Sequence, residues 1–362
     1  MYADALVPPF RVGFSLKPIT HLLRRKLLRK SLPLNQHARL ISEIAPAEAT
    51  VDRPAFHLPG QLERVRRLSE FGISMDEERS KLKGGTQRNH GATRALLLKN
   101  VVLLDGVLYK DNSFERLHSP AGRLPRFEIK SEIDHAALYC TPQGNKYFGN
   151  WLMDDCAAYR LAPTYGAPVT TAHPVSQHLM PYERALGMNP TRVESAFFKE
   201  LVVFDDVGQN RSKHERFTAL GNELRQNKPA DSHPGVFILR GKSGQRRVLK
   251  NELELAEMLR EKRGFRVLDA TANSVQQIID ACAGARAVVG VEGSQLIHGL
   301  LMLPRGGSLL TLQPPDRYCT VYKDLTDRDE QHFGIVVGLP DGDDFTIVPD
   351  EVERTLDLMA KA

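Results

Sequence analysis

The feature of the sequence that most constrains the fold is an alternation of apolar runs and amphipathic segments between residues 235 and 313. The runs "GVFILR", "FRVLDA", "RAVVGV" and "SLLTLQ" are almost continuously apolar, which is typical of parallel strands that are buried on both faces. Between them, "NELELAEMLREKRG", "SVQQIIDACAGA" and "SQLIHGLLML" have the periodicity of helices. This order predicts a doubly wound parallel sheet, a class in which ligands bind beyond the carboxyl ends of the strands.

A second set of α/β elements precedes the polar stretch "RQNKPADSHPG", which is typical of an interdomain linker. "NVVLLDGVLYKD" predicts a hairpin with an Asp-Gly turn, "HAALYC", "APVTTA" and "ELVVFDD" predict strands, and "NWLMDDCAAYRLA" and "QHLMPYERALG" predict helices. The sequence therefore predicts an N-terminal extension over residues 1–94, a Rossmann-like domain over 95–228, and a second one over 229–362 with a closing helix. Within the extension, "QLERVRRLSEFG" is expected to be helical.

The bulk composition indicates an ordinary globular protein, with 362 residues, 41% hydrophobic residues and a net charge of +5. Seven Lys or Arg and no acid lie between Arg11 and Lys30. This stretch, which includes "HLLRRKLLRK", is either a helix at an anionic membrane or lipid-linked acceptor, or a solvated arm. No run reaches the roughly 18 apolar residues of a membrane span. The four cysteines have no metal-ligand spacing, and three of them lie in apolar surroundings, so we expect buried free thiols in a cytoplasmic protein. We expect no nucleic-acid partner.

The segment "GVFILRGKSGQRRV" has the Gly-Lys-Ser ending of a phosphate-binding loop, but its register is wrong for one. Such a loop has four residues between its first Gly and the Gly-Lys pair, after the strand. Here "VFILR" intervenes, and these residues are the strand itself. What remains is a basic cluster that begins at a strand end and consists of Arg240, Lys242, Arg246, Arg247 and Lys250. The planar guanidinium of Arg240 suits a diphosphate, although a solvated basic loop remains the alternative.

The turn after "VVGV" is a second candidate anion site. Backbone N–H groups of Gly293, Ser294 and Gln295 are expected to open toward the crevice, where the start of a helix attracts phosphate. Glu292 would repel phosphate, so it is expected to accept hydrogen bonds from sugar or ribose hydroxyls. His298 follows on the same helix, where it either faces the crevice or has a structural role. The alternative is a tight strand-to-helix turn that needs glycine.

In the first half, "YFGNWLMDD" contains a candidate catalytic base. Asn150 is expected to cap a helix that starts at Trp151, which places Asp154 one turn into that helix. A carboxylate there could take a proton from an attacking hydroxyl. The alternative is an acid that complements the helix N-terminus. We expect the "DGDD" near the C-terminus to be a surface turn rather than a metal site.

Three blocks of the sequence together resemble glycosyltransferase family 61. They are "YFGNWLMDD", "FILRGKSGQRRVLKNELEL" and "VVGVEGSQLIHGLLMLPRGGSLLTL", and the resemblance extends over roughly residues 95–320. It implies an inverting, metal-independent transferase of GT-B fold, with twin Rossmann domains and a nucleotide-sugar donor, often a UDP-sugar. Bacterial members are linked to capsule and lipopolysaccharide assembly. The first domain would then take a glycan or lipid-linked glycan acceptor and the second the donor, at the inner face of the membrane.

Several residues match positions of the family motifs. Arg240 and Asn251 fall on the family's Arg and Asn, Asp154 on its first-domain carboxylate, and Gly293 on the Gly of its His-Gly-Ala turn. Glu292 and Asn150 stand where the family usually has histidines, so a non-catalytic nucleotide-sugar-binding scaffold is the alternative function. The resemblance implies catalysis by Asp154 or Glu292, an acceptor side with Asn150 and Trp151, and donor binding by Arg240, Arg246, Arg247, Asn251, Gly293, Ser294, Gln295 and His298.

Overall fold

The computed structural model describes residues 13–20, 23, 33–119, 127–172, 176–226, 231–241, 244 and 246–362. The protein is a mixed α/β protein with parallel and antiparallel strands in several sheets. Its contacts divide the chain into two compact units. The first unit combines Met1–Pro46 with Ala92–Val207, and the second combines Ala47–Gly91 with Gly208–Ala362.

An eight-stranded mixed sheet forms the first unit. Parallel pairing joins one half of the sheet and antiparallel pairing the other. The Asp-Gly hairpin is confirmed, because Asp105 and Gly106 have φ values of 45° and 78° between two paired strands. Along the sheet the strands are Thr191–Val193, Ala167–Thr171, Glu132–Leu138, Ser195–Asp205, Thr93–Leu104, Val107–Lys110 and Ser113–Arg116, with Arg39–Ala45 also paired to Thr93–Leu104.

The helices of the first unit are short and follow the parallel strands in the chain. After Glu132–Leu138 the chain forms three consecutive helical stretches, Phe148–Asn150, the π turn Trp151–Asp155, and Cys156–Tyr159. Two short helices follow, Ala162–Tyr165 and Leu179–Ala185, and Gly13–Phe14 pairs with Glu128–Ile129 in a separate small sheet. The predicted helix start at Trp151 is wrong, since Asn150 lies inside the helix and makes no capping hydrogen bond.

A five-stranded sheet forms the centre of the second unit, and all its neighbouring strands are parallel. The strand that comes first in the chain lies between the second and the third, an order that doubly wound sheets share. The parallel sheet predicted from the four apolar runs is thus confirmed. Its strands are, in spatial order, Arg266–Asp269, Val236–Leu239, Ala287–Val291, Ser308–Gln313 and His332–Val337.

Helices pack on this sheet and begin and end at the residues that local sequence favours. Gly264, with a φ of 68°, ends one helix, and Ser274 forms a capping box with Gln277 at the start of the next. Strand residues Phe237 and Val289 share a buried apolar core with residues of helix Glu252–Arg263 and of helix Pro349–Met359. The helices of this unit are Met75–Lys83, Arg211–Leu224, Glu252–Arg263, Val275–Cys282, Leu296–Leu300, Lys323–Arg328 and Pro349–Met359.

Residues 47–91 belong to the second unit. Their strands Glu48–Val51 and Gln87–His90 pair with each other, and the backbone N–H of Phe56 donates to Phe333 O at 2.8 Å. The predicted helix in "QLERVRRLSEFG" is wrong. Only Leu62–Arg64 forms a short 3-10 turn, because the following backbone groups bond to residues 315–318 instead of to each other.

The division into units runs differently from the boundaries predicted at residues 94 and 228. Helix Arg211–Leu224, which the sequence reading did not anticipate, clusters with the second unit, and a Cβ on its Gly221 would clash with the carbonyl of Leu301. A small hairpin, Leu339–Asp341 with Asp344–Thr346, completes this unit.

Two further predictions concern the termini and the thiols. All four cysteines are buried and free, as predicted. Most of "HLLRRKLLRK" lies outside the described residues. Within the ranges that the structure describes, no helix is both long and apolar enough to cross a membrane.

Candidate functional site

The candidate anion site of the second unit lies at the carboxyl edge of its sheet. Arg240 directly follows strand Val236–Leu239, and Glu292 directly follows the adjacent strand Ala287–Val291. These strands are first and third in the chain, so the winding direction reverses between them, which is where ligands bind in such sheets. The carboxylate of Glu252 accepts hydrogen bonds from the backbone N–H groups of Arg240 and Gly241, at 2.7 and 2.8 Å. It therefore anchors the start of the basic loop.

Three arginines, Arg240, Arg247 and Arg317, form what we call the guanidinium cluster. Nη2 of Arg247 lies 3.3 Å and Nη1 of Arg317 lies 2.9 Å from the same oxygen, Oε2 of Glu292. The Nε of Arg247 also donates to the backbone carbonyl of Glu292 at 2.8 Å. Nη1 of Arg240 donates to Oε1 of Gln295 at 3.1 Å. One buried carboxylate thus holds two of the three cations together.

Two of the three guanidinium groups in the cluster are buried. Only 7% of Arg240 and 8% of Arg247 are exposed. Burial, followed by repulsion from Arg247, lowers the pKa of Arg240 to about 10, and burial also lowers the pKa of Arg247. Among the described residues, Nη1 of Arg247 has no hydrogen-bond partner. A bound anion would relieve both the repulsion and this unsatisfied buried donor.

Gly293 lies where two guanidinium groups meet the backbone. Its φ of 153° is one that residues with a side chain rarely adopt. A Cβ there would clash with Nη1 of Arg240, and would lie 2.6 Å from Oε1 of Gln295 and 2.9 Å from Nη2 of Arg247. The hydroxyl of Tyr322 donates to its carbonyl at 3.0 Å. Glycine is needed here both for the backbone conformation and for the close approach of the two cations.

The other residues predicted for the donor site are not part of the guanidinium cluster. Arg246 is exposed and lies 3.3 Å from Asp344, so the acidic turn predicted at the surface contacts the basic loop. Both side-chain groups of Asn251 are engaged by the backbone of Ile347, at 2.8 and 3.1 Å. Ser294 lies in the turn before the five-residue helix Leu296–Leu300, in which His298 is buried.

The candidate base, Asp154, lies in the first unit. It is part of the π turn Trp151–Asp155, and such turns occur frequently at functional sites. Nδ2 of Asn150 donates to Oδ2 of Asp154 at 3.0 Å, so Asn150 orients this carboxylate instead of capping the helix. Trp151 is buried and stacks on Phe148 with a centroid separation of 5.8 Å.

The adjacent acid, Asp155, has a structural position. It is fully buried, and its Oδ1 accepts hydrogen bonds from the backbone N–H and the hydroxyl of Thr141, at 3.1 and 2.8 Å. Gly144 leaves room for its carboxylate, because a Cβ on Gly144 would overlap it. The two neighbouring acids therefore differ, since Asp154 is half-buried and Asp155 ties the loop after strand Glu132–Leu138 to the helix.

Comparison with known families defines the class of this protein. A family model described as Glycosyltransferase 61 matches residues 148–309, which include Asp154, Arg240 and Gly293. The protein is a glycosyltransferase. The family that the match supports is glycosyltransferase family 61, in agreement with the resemblance of the three sequence blocks. No curated protein matches the chain.

Sequence reasoning missed three residues of the site. Arg317 follows strand Ser308–Gln313, so the rule about carboxyl ends that selected Arg240 also applied to it. Glu252 is the first residue of a helix, where an acid is expected for its effect on the helix dipole alone. Glu70 lies 3.2 Å from Arg317 but 247 residues away in the chain, and no local signal indicates this pairing.

Proposed function

We propose that the protein is an inverting, metal-independent transferase that moves a sugar from a nucleotide diphosphate donor, a UDP-sugar first of all, to a glycan acceptor in bacterial surface polysaccharide synthesis. The observation that carries the proposal is the guanidinium cluster. Arg240 and Arg247 are buried beside Gly293, and Arg247 shares the carboxylate of Glu292 with Arg317. The resemblance to the family supports the mechanism and the donor class. The parallel sheet of the second unit supports a GT-B fold.

The chemistry of the donor explains why arginines are suited to this position. When the bond from the sugar C1 to the diphosphate breaks, negative charge grows on the departing phosphate oxygens. Fixed guanidinium groups stabilise that charge without reorganisation. Arg240 and Arg247 are fixed in this sense, because Gln295 and the backbone of Glu292 hold them. We assign them to the diphosphate.

Two carboxylates have separate roles in the proposal. Asp154 takes the proton from the attacking acceptor hydroxyl, which a half-buried acid in hydrogen bond with Asn150 can do. Glu292 accepts two arginine side chains on a single oxygen, and we assign it to holding Arg247 and Arg317 in place. The acceptor side includes Asn150 and Trp151. Residues 11–30 form a peripheral contact with the inner face of the membrane, where lipid-linked acceptors are found.

The proposal is tested by donor turnover. The purified chain is incubated with UDP-, GDP-, dTDP- and CMP-sugars and a mixture of glycan acceptors, with EDTA present, and released nucleotide is measured. We expect release from one nucleoside diphosphate sugar, at a rate that EDTA does not change, and a product of inverted anomeric configuration by NMR. Absence of turnover with every donor, or a product that retains the configuration, would contradict the proposal.

A further inference from the structure

The loop that carries Arg317 is held by a segment from the beginning of the second unit. Backbone N–H groups of Arg66 and Arg67 donate to Pro315 O at 2.8 and 3.2 Å. The N–H of Ser69 donates to Tyr318 O at 2.9 Å, and that of Tyr318 donates back to Arg67 O at 3.0 Å. Residues 66–69 therefore pair with residues 315–318 through four backbone hydrogen bonds, and both stretches lie outside the family match.

An ion pair between Glu70 and Arg317 connects this segment to the guanidinium cluster. Arg317 lies between two carboxylates, with Nη1 at 2.9 Å from Glu292 and Nη2 at 3.2 Å from Glu70. Glu292 is buried, whereas 42% of the Glu70 side chain is exposed. The buried side chain of Gln313 fixes the same loop, because it bonds to both backbone groups of Cys319, at 2.7 and 3.1 Å. Arg317 is thus held at its base and at its tip.

Arg317 converges with Arg240 and Arg247 on the turn at Glu292 and Gly293. Arg317 and Arg247 share Oε2 of Glu292, and both Arg240 and Arg247 would contact a Cβ at Gly293. The three guanidinium groups therefore meet at one place, where all three can reach the oxygens of a diphosphate. A guanidinium also has five N–H donors, so contacts with two carboxylates do not exhaust it.

We propose that Arg317 is a third diphosphate-binding residue and that Glu70 is its positioning residue, so that residues 66–70 are part of the donor site. This inference rests on the proposed function, since it assumes a diphosphate donor. Glu70 restricts the rotamers of Arg317 from the solvent side. The donor site then depends on a segment about 80 residues before the matched family region.

The test measures binding of UDP and of inorganic pyrophosphate to the full-length chain by calorimetry. Arg317→Ala should weaken both by roughly 10-fold or more, because a charge-assisted contact is lost. Arg305→Ala is the matched control, since Arg305 is an exposed arginine of the same unit that pairs with Glu330. Wild-type affinity in Arg317→Ala would overturn the inference. Failure of the wild-type chain to bind either probe would instead contradict the proposed function.

Glu70 is tested by kinetics, because a merely structural residue would not separate KM from kcat. Glu70→Gln should raise the donor KM about threefold with kcat and melting temperature unchanged, as expected for an exposed ion pair. Glu70→Asp, which keeps the charge, should recover part of the loss. An unchanged KM, or a lower one, would contradict a positioning role. If Arg317→Ala does not fold, Arg317→Lys is measured in its place. Wild-type affinity of Arg317→Lys for pyrophosphate would then contradict a role for the guanidinium group.

Discussion

Replacing Gly293 by alanine is the smallest change that reaches the centre of the proposed donor site. The added Cβ would clash with Nη1 of Arg240 and lie 2.9 Å from Nη2 of Arg247. Both contacts are the far ends of side chains, which shift at a lower cost than the backbone, so the arginines should leave the positions in which Gln295 and Glu292 hold them. Both cations would therefore be displaced while the fold persists.

The substitution should lower both the free energy of unfolding and the affinity for UDP. A residue with a side chain at a φ of 153° is strained, which costs about 1–3 kcal/mol of folding free energy. In addition, each displaced guanidinium loses a charge-assisted contact with the anion, worth about 1.5–3 kcal/mol. Loss of one such contact corresponds to a Kd for UDP that is roughly 10- to 150-fold higher.

The assay compares Gly293→Ala with Gly306→Ala. Gly306 has a φ of 71° with nothing within 4 Å of its added Cβ, so it carries backbone strain without the clash. Both variants should melt a few degrees below wild type, but only Gly293→Ala should lose UDP affinity in calorimetry. Equal UDP affinity in the two variants would refute the placement of the anion beside Gly293.

Three further predictions concern the two carboxylates and the basic arm. Asp154→Asn should lower kcat by about 10²- to 10⁴-fold with donor affinity preserved, as loss of a general base does, and a turnover close to wild type would exclude this role. Glu292→Gln should mainly raise the donor KM, because Arg247 and Arg317 lose their shared anchor; loss of turnover at saturating donor would instead make Glu292 the base. Deletion of residues 1–30 should abolish sedimentation with anionic vesicles at low salt, and retained binding would move the membrane contact elsewhere.

The parallel sheet of the second unit could be predicted because its signals are local. Each strand is a short apolar run, and Gly264 and Ser274 mark the ends of helices through their own backbone or side-chain bonds. The Asp-Gly hairpin of the first unit is set in the same way by two residues. Such features depend on neighbours in the chain, so the sequence contains them directly.

The features that were missed depend on distant partners. "QLERVRRLSEFG" has the composition of a helix, yet its backbone N–H groups bond to residues 315–318, and this pairing replaces the local hydrogen bonds. The helix Arg211–Leu224 precedes the polar stretch taken for a linker, and Arg225 at its end donates to Met302 O at 3.1 Å. Only tertiary structure shows that these segments belong to the second unit.

The position of the candidate site at the edge of the sheet could be predicted for a similar reason. Arg240 and Gly293 follow apolar strands, and the rule on carboxyl ends places both at one edge of the sheet. The burial of Arg240 did not follow from the sequence, because it depends on Gln295, Arg247 and the turn at Gly293, which enclose this side chain. The shared carboxylate of Glu292 also appears only when the loops after three strands are brought together.

The most direct test of the central claim is calorimetric titration of the wild-type chain with UDP and, separately, with UMP, in EDTA. Three guanidinium groups converge in the cluster and can contact two phosphates at once, so we predict that UDP binds at least about 10-fold more tightly than UMP, a difference of roughly 1.4 kcal/mol. UDP in hundredfold excess over its Kd should also stabilise the fold by about 2.7 kcal/mol. Equal affinity for UDP and UMP, or no binding of either, would contradict the assignment of Arg240, Arg247 and Arg317 to the diphosphate of a donor.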